Sequence, residues 1–171
     1  MAELLSITHL KPGDKAPAFN ALDQDGNKVS SAGLKGQRYA LYFYPNDDTE
    51  TCTKQACNLR DNYAALKKAG IKIIGVSHAP VESKKKFADK YKLPFTLLAD
   101  TDLTIVKKYG VYGEKLFMGR TITTIHRITF LINEKGVIEK IIHKVWAGKA
   151  SSQILETCLP VWNYVSKLSF L

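Results

Sequence analysis

Tyr39-Ala-Leu-Tyr-Phe-Tyr44, then Pro45-Asn-Asp-Asp-Thr49, then Glu50-Thr-Cys52-Thr-Lys-Gln-Ala-Cys57 is the stretch that decides the fold. The first six residues form a short, nearly continuous apolar run, as expected of a strand covered on both faces. Pro45–Thr49 reads as a turn. From Cys52 the positions Cys52, Ala56, Leu59, Tyr63 and Leu66 recur at helical spacing, and Ala69–Gly70 supplies the stop. A second apolar run, Ile71–Val76, follows at once. Strand, helix and strand in this order predict a βαβ unit with parallel strands, and hence an α/β fold.

Cys52 sits in the first turn of that helix. Unpaired backbone N–H groups and the positive end of the helix dipole favour an anion there, and the thiolate is the nucleophilic form of cysteine. The same position also suits a small apolar residue that opens a core stripe. The residues alone leave both readings open.

Further along, a helix is expected near Val81–Tyr91, a strand near Phe95–Leu98 and a short helix near Leu103–Tyr109. Ile125–Ile132 and Val137–Ile142 are strand-like, and Asn133-Glu-Lys-Gly136 between them suits a hairpin with a bulge. A last helix spans about Ser151–Leu168, bent at Pro160. With no internal repeat or linker, residues 1–171 are expected to form a single domain. Arg127 stands among apolar neighbours on both faces of its strand, so its guanidinium needs a partner. That partner is either a thiolate or reacting oxygen, or a surface carboxylate at a strand end.

Of the 171 residues, 45% are hydrophobic and 24% charged, which is ordinary globular composition and argues against disorder. Three cysteines are too few and too unevenly placed for a secreted disulfide scaffold. Met1–Leu10 lacks the pattern of a signal peptide, and no apolar stretch approaches the ~18 residues of a membrane span. A soluble, cytoplasmic protein that does not bind membranes is the expectation. The formal charge of +9 comes from scattered basic residues, and the densest run, Lys84-Lys85-Lys86, reads as the solvated face of a helix. No nucleic-acid partner is expected.

Several motifs resemble one family. Pro45-Asn-Asp-Asp-Thr49-Glu-Thr-Cys52 matches the Pro-x-x-x-Thr/Ser-x-x-Cys pattern of peroxiredoxins, and Cys52-x-x-x-x-Cys57 resembles the peroxiredoxin Q, or bacterioferritin comigratory protein, subfamily. The likeness also takes in Leu10–Phe19, Leu22–Gly26, Gln55–Asn62, Tyr112–Lys115, Phe117–Gly119 and Ile125–Ile132, covering His9 to Val165. It implies a thioredoxin-like fold, with a central mixed β-sheet flanked by helices, and thiol-dependent reduction of hydrogen peroxide and organic hydroperoxides. By the same resemblance Cys52 is the peroxidatic cysteine, Thr49 and Arg127 its polar partners, Pro45 the shield of the pocket, and Cys57 the resolving cysteine in an intramolecular disulfide. No cofactor is implied. Thioredoxin or glutaredoxin would be the reductant, and the protein a monomer.

One departure stands out. Glu50-Thr51 replaces the Pro-Gly or similar pair of many relatives, with Asp47 and Asp48 just upstream. These carboxylates suit a helix start, and would oppose the thiolate if they pointed inward. Cys158 reads as packing, His126 as facing away from the site, His78 as a loop residue, and Tyr44 as either pocket lining or core. A general disulfide oxidoreductase fits less well, because Cys-x-x-Cys is absent. A binding protein using the fold as a scaffold is the third reading.

Overall fold

The computed structural model of the chain describes residues 7–158, with the Cys158 side chain outside that description. In chain order the strands are β1 (Asn20–Asp23), β2 (Lys28–Ser30), β3 (Arg38–Phe43), β4 (Ile71–Ser77), β5 (Thr96–Ala99), β6 (Tyr112–Phe117), β7 (Arg120–Ile125), β8 (Thr129–Ile132) and β9 (Ile138–Ile142). The helices are α1 (Glu50–Asp61), α2 (Tyr63–Lys68), α3 (Val81–Tyr91), α4 (Thr104–Lys108) and α5 (Ala150–Cys158). Seven strands form one mixed sheet in the order β2-β1-β5-β4-β3-β8-β9, and β6 and β7 pair separately. The core strands β3, β4 and β5 run parallel, while β1 and β8 join them antiparallel.

The alternation of β3 builds both layers. Tyr39, Leu41 and Phe43 enter one buried cluster with Ile105 and Val106 of α4; Ala40, Tyr42 and Tyr44 enter the other with residues of α1, α2, α3 and α5. A central strand buried on both faces can carry such a run, and its period of two decides which side chain meets which layer. Cys52, Ala56 and Leu59 present the apolar face of α1 to the second cluster. Fully burying a side chain such as Leu59 is worth about 1.5–3 kcal/mol.

The expected βαβ unit, the α3 boundaries and the Asn133–Gly136 hairpin with its bulge are all present. Three expectations need correction. The helix beginning at Glu50 does not run unbroken to Ala69 but divides at Asn62, whose side chain donates to the Asn58 carbonyl at 2.9 Å. Asparagine competes in this way with the regular helix ladder. The strand expected over Ile125–Ile132 is broken: β7 ends at Ile125, β8 starts at Thr129, and Arg127 lies between them. The stretch leaves one sheet for another there, with His126 N–H bonded to Val111 O and Phe43 N–H to Ile128 O. The third is Lys84, which is fully buried and not on a solvated face. The predicted bend at Pro160 and the end of the last helix lie outside the described residues.

Candidate active site

Tyr44 ends the β3 run at the carboxyl edge of the parallel strands, where open α/β sheets place their ligand sites. The chain turns through Pro45–Thr49 and enters α1 with Thr49 at the N-cap position. Cys52 therefore lies in the first helical turn, and it is only 2% exposed. The Arg127 Nη2 donates to Cys52 Sγ at 3.3 Å, and Nη1 donates to Gln55 Oε1 at 2.6 Å. A guanidinium with two fixed partners on one helix face is held in a plane that aims positive charge at the sulfur. The surface-carboxylate reading of Arg127 is therefore replaced by contact with the thiol.

Gln55, within the matching stretch Gln55–Asn62, has no role that its local sequence assigns. Its signal was a polar residue in an apolar stripe, three positions after Cys52. It is 1% exposed, and its Nε2 has no hydrogen-bond partner among the described residues. Tyr42 OH, buried on the same side of the sheet, is likewise unpartnered there. Burial first, then the charges of Cys52 and Asp47, raise the Tyr42 phenol well above its ordinary pKa, so it stays a neutral donor. The Gln55 amide, on the residue that holds Arg127 beside the sulfur, is a buried donor that can serve an oxygen atom brought into the site.

The Thr49 hydroxyl is exposed and donates to the Asn46 carbonyl at 3.3 Å; it makes no capping bond to its own helix. Pro45 is half-buried at the start of the turn, and Glu50 is exposed in the first turn of α1. Cys57 is partly buried, and neither it nor Cys52 is in a disulfide. Both thiols lie within α1, a continuous helix. His126 bonds to the Glu114 carbonyl, away from the sulfur, and His78 is an exposed residue after β4.

The acidic turn does not behave as three helix-start carboxylates. Only Glu50 does. Asp47 turns inward to meet Lys84, whose side chain is fully buried, at 2.9 Å, and Asp48 bonds Lys90 at 2.8 Å and Tyr91 OH at 2.6 Å. Lys84 is thus no part of a solvated face, although Lys85 beside it is exposed. The spacing Val81, Lys84, Phe87, Ala88 places Lys84 on the apolar side of α3 and could have revealed it. Burial alone would raise the Asp47 carboxyl, but the Lys84 charge and hydrogen bonds from Lys84, Tyr44 and Ser83 hold it below the usual carboxylate range.

A groove of about 540 Å³ reaches Arg127 from the β6 side, and its walls include Ile7, Leu116, Ile128 and Val145. No helix among the described residues is long and apolar enough to cross a membrane.

Residues 12–141 match the model of the AhpC/TSA family. Peroxiredoxin Bcp of Escherichia coli (strain K12) is 50% identical over 132 residues, covering 77% of this chain and 85% of the relative. A putative peroxiredoxin bcp of Coxiella burnetii is 45% identical over 136 residues, covering 80% and 90%. Among solved structures, peroxidoxin BcpB from Mycobacterium tuberculosis superposes with a TM-score of 0.77 at 28% identity, over 88% of this chain and 97% of its own. Peroxiredoxin Q of Xanthomonas campestris gives 0.78 at 26% identity, over 88% and 96%. A structural study of the Xanthomonas campestris bacterioferritin comigratory protein, with the same TM-score of 0.78, 26% identity and coverage of 88% and 96%, concerns its alkyl peroxide reduction activity.

Proposed function

The chain belongs to the AhpC/TSA family, as a peroxiredoxin of the Bcp and peroxiredoxin Q kind with a thioredoxin-like fold and thiol-dependent peroxidase activity, and on that premise we propose that Cys52 is its peroxidatic cysteine and Cys57 its resolving one. The observation that carries this reading is the 3.3 Å contact from Arg127 Nη2 to Cys52 Sγ in the first turn of α1. The Cys52 thiolate attacks the terminal peroxide oxygen. An S–O bond forms, the O–O bond breaks, and the leaving oxygen takes a proton and departs as water or an alcohol. Arg127, the helix-start N–H groups and the Thr49 hydroxyl, once released from Asn46, stabilise charge on that oxygen. Pro45 shields the pocket from water.

The Cys57 thiol then displaces hydroxide from the sulfenic acid, which leaves as water with the thiol proton. The two cysteines are joined, and an external dithiol reduces the bond. Thioredoxin is the proposed reductant, with glutaredoxin the alternative, and the protein works in the cytoplasm as a single-domain monomer. Hydrogen peroxide and organic hydroperoxides are both substrates.

Peroxide consumption coupled to thioredoxin and its reductase tests the reading. Wild-type protein should turn over and Cys52→Ser should not. Undiminished turnover by a folded Cys52→Ser variant would overturn it.

A further inference from the structure

Every donor on the Lys84 ammonium is used. The group donates to Asp47 Oδ1 at 2.9 Å, to Tyr44 OH at 3.0 Å and to Ser77 Oγ, and it lies 4.8 Å from the centre of the Tyr44 ring. Asp47 completes the cluster: its Oδ1 also accepts from Tyr44 OH at 2.6 Å and Ser77 Oγ at 3.3 Å, and its Oδ2 accepts from Ser83 Oγ at 2.7 Å. The Lys84 side chain is 0% exposed and that of Asp47 5%. Three elements meet here, namely Tyr44 just after β3, the end of β4 at Ser77 and the first turns of α3.

A buried ion pair gains little stability over apolar packing, because both charges must leave water. Its better-attested use is to specify one arrangement. Here the arrangement specified is that of the turn. Asp47 lies two residues after Pro45 and two before Thr49, and Asp48, in a left-handed conformation at φ 54°, fixes the outer side of the same turn to Lys90 and Tyr91 of α3. Two consecutive carboxylates thus seat the Pro45–Thr49 turn on one helix.

We propose that Lys84 is a positioning residue for peroxide reduction, acting through Asp47 to hold the Pro45–Thr49 turn so that Pro45 and Thr49 meet the peroxide bound at Cys52. The inference rests on the assignment of Cys52, Thr49 and Pro45 above. Lys84 spends its donors on Asp47, Tyr44 and Ser77 and makes no hydrogen bond to the Cys52 sulfur. It fixes the turn from behind, from the first turns of α3.

The test compares two reactions of Cys52 in the full-length protein. Single-turnover stopped flow measures attack on hydrogen peroxide, and iodoacetamide measures alkylation of the same thiol, which needs no peroxide site. Lys84→Met should slow peroxide attack at least tenfold per folded molecule; because it leaves the buried Asp47 charge uncompensated, alkylation is compared in the variant that lacks both charges. Because that variant strands a buried carboxylate and can fail to fold, Asp47→Asn/Lys84→Met, with neither charge, is measured alongside. It should fold by circular dichroism and still show peroxide attack slowed at least fivefold with alkylation preserved.

Wild-type peroxide attack in the folded double variant would overturn the proposal. So would a parallel fall in alkylation, which would place the effect on the thiol and not on the turn. Loss of the Cys52 assignment would appear differently, as peroxide turnover surviving Cys52→Ser.

Discussion

Asn58 holds Ser151 at the first turn of α5: its Oδ1 accepts the Ser151 N–H at 2.9 Å, while its Nδ2 donates to the Gly148 carbonyl at 3.0 Å. One side chain on α1, next to Cys57, therefore caps a different helix. Whatever unwinds α1 at Cys57 must break these bonds. Asn58→Ala should cost about 1 kcal/mol, as lost caps do, and lower the melting temperature by about 2–4 °C. It should also speed amide exchange across residues 54–61 and the rate of disulfide formation after one equivalent of peroxide. Exchange by mass spectrometry and quenched-flow trapping measure the two; equal rates in variant and wild type would remove Asn58 from control of the opening.

Gln55 sets the aim of Arg127. Arg127→Ala should slow peroxide attack on the order of 100-fold, the scale of one lost donor to a developing oxyanion. Arg127→Lys should recover little of this, because a single ammonium cannot reproduce the fork that joins Cys52 to Gln55. Gln55→Ala should cost roughly tenfold, less than the ~100-fold that a 1 Å misplacement can cause. Stopped-flow rates of the first turnover rank the three. A Gln55→Ala rate equal to wild type would show that the arginine is held elsewhere.

Much of this was legible where one physical pattern dominated. The β3 run, the α1 stripe and Gly136 each follow from periodicity or backbone freedom, and the Cys52 position follows from them. Polar contacts made across the fold were not legible. Asp47 and Lys84 are 37 residues apart and meet only because β4 carries the chain back to α3. Read locally, one is a helix-start carboxylate and the other part of a basic run. Arg127 is legible because a cation among apolar neighbours demands a partner, but the break in its strand depends on a switch between sheets that no local spacing announces.

Acid should expose the Asp47 cluster. The folded-state carboxyl titrates below its unfolded value of about 3.9, so the unfolded chain takes up its proton first as pH falls. The stabilisation is fully present above about pH 5 and is lost as pH falls through 4 towards the lower folded value. Urea midpoints measured from pH 6 to pH 3 should therefore fall for wild type, and fall less steeply for Asp47→Asn. Parallel curves for the two proteins would contradict the assignment.

Glu50 is exposed in the first turn of α1 and faces the helix start from solvent. Glu50→Gln should lower stability by about 0.3–1 kcal/mol through the lost dipole interaction and leave the peroxide rate nearly unchanged. Thermal melts and stopped flow decide between this and an inward role. A large rate gain at equal stability would show the carboxylate opposing the thiolate.

Residues five apart in a continuous helix are displaced by about 7.5 Å along the axis and about 140° around it, which puts their Cα atoms roughly 9 Å apart. A disulfide spans less than about 7 Å. Cys52 and Cys57 both lie inside α1, so resolution requires the helix to open locally, and the division at Asn62 together with the Asn58 cap bounds the segment that must give way. One equivalent of peroxide should yield a Cys52–Cys57 bridge within one chain. Cys57→Ser should keep the first attack, stop at the sulfenic acid and pass more readily to the sulfinic acid when peroxide is in excess. Peptide mapping by mass spectrometry reads both outcomes, and a bridge to Cys158 or between two chains would reassign the resolving thiol.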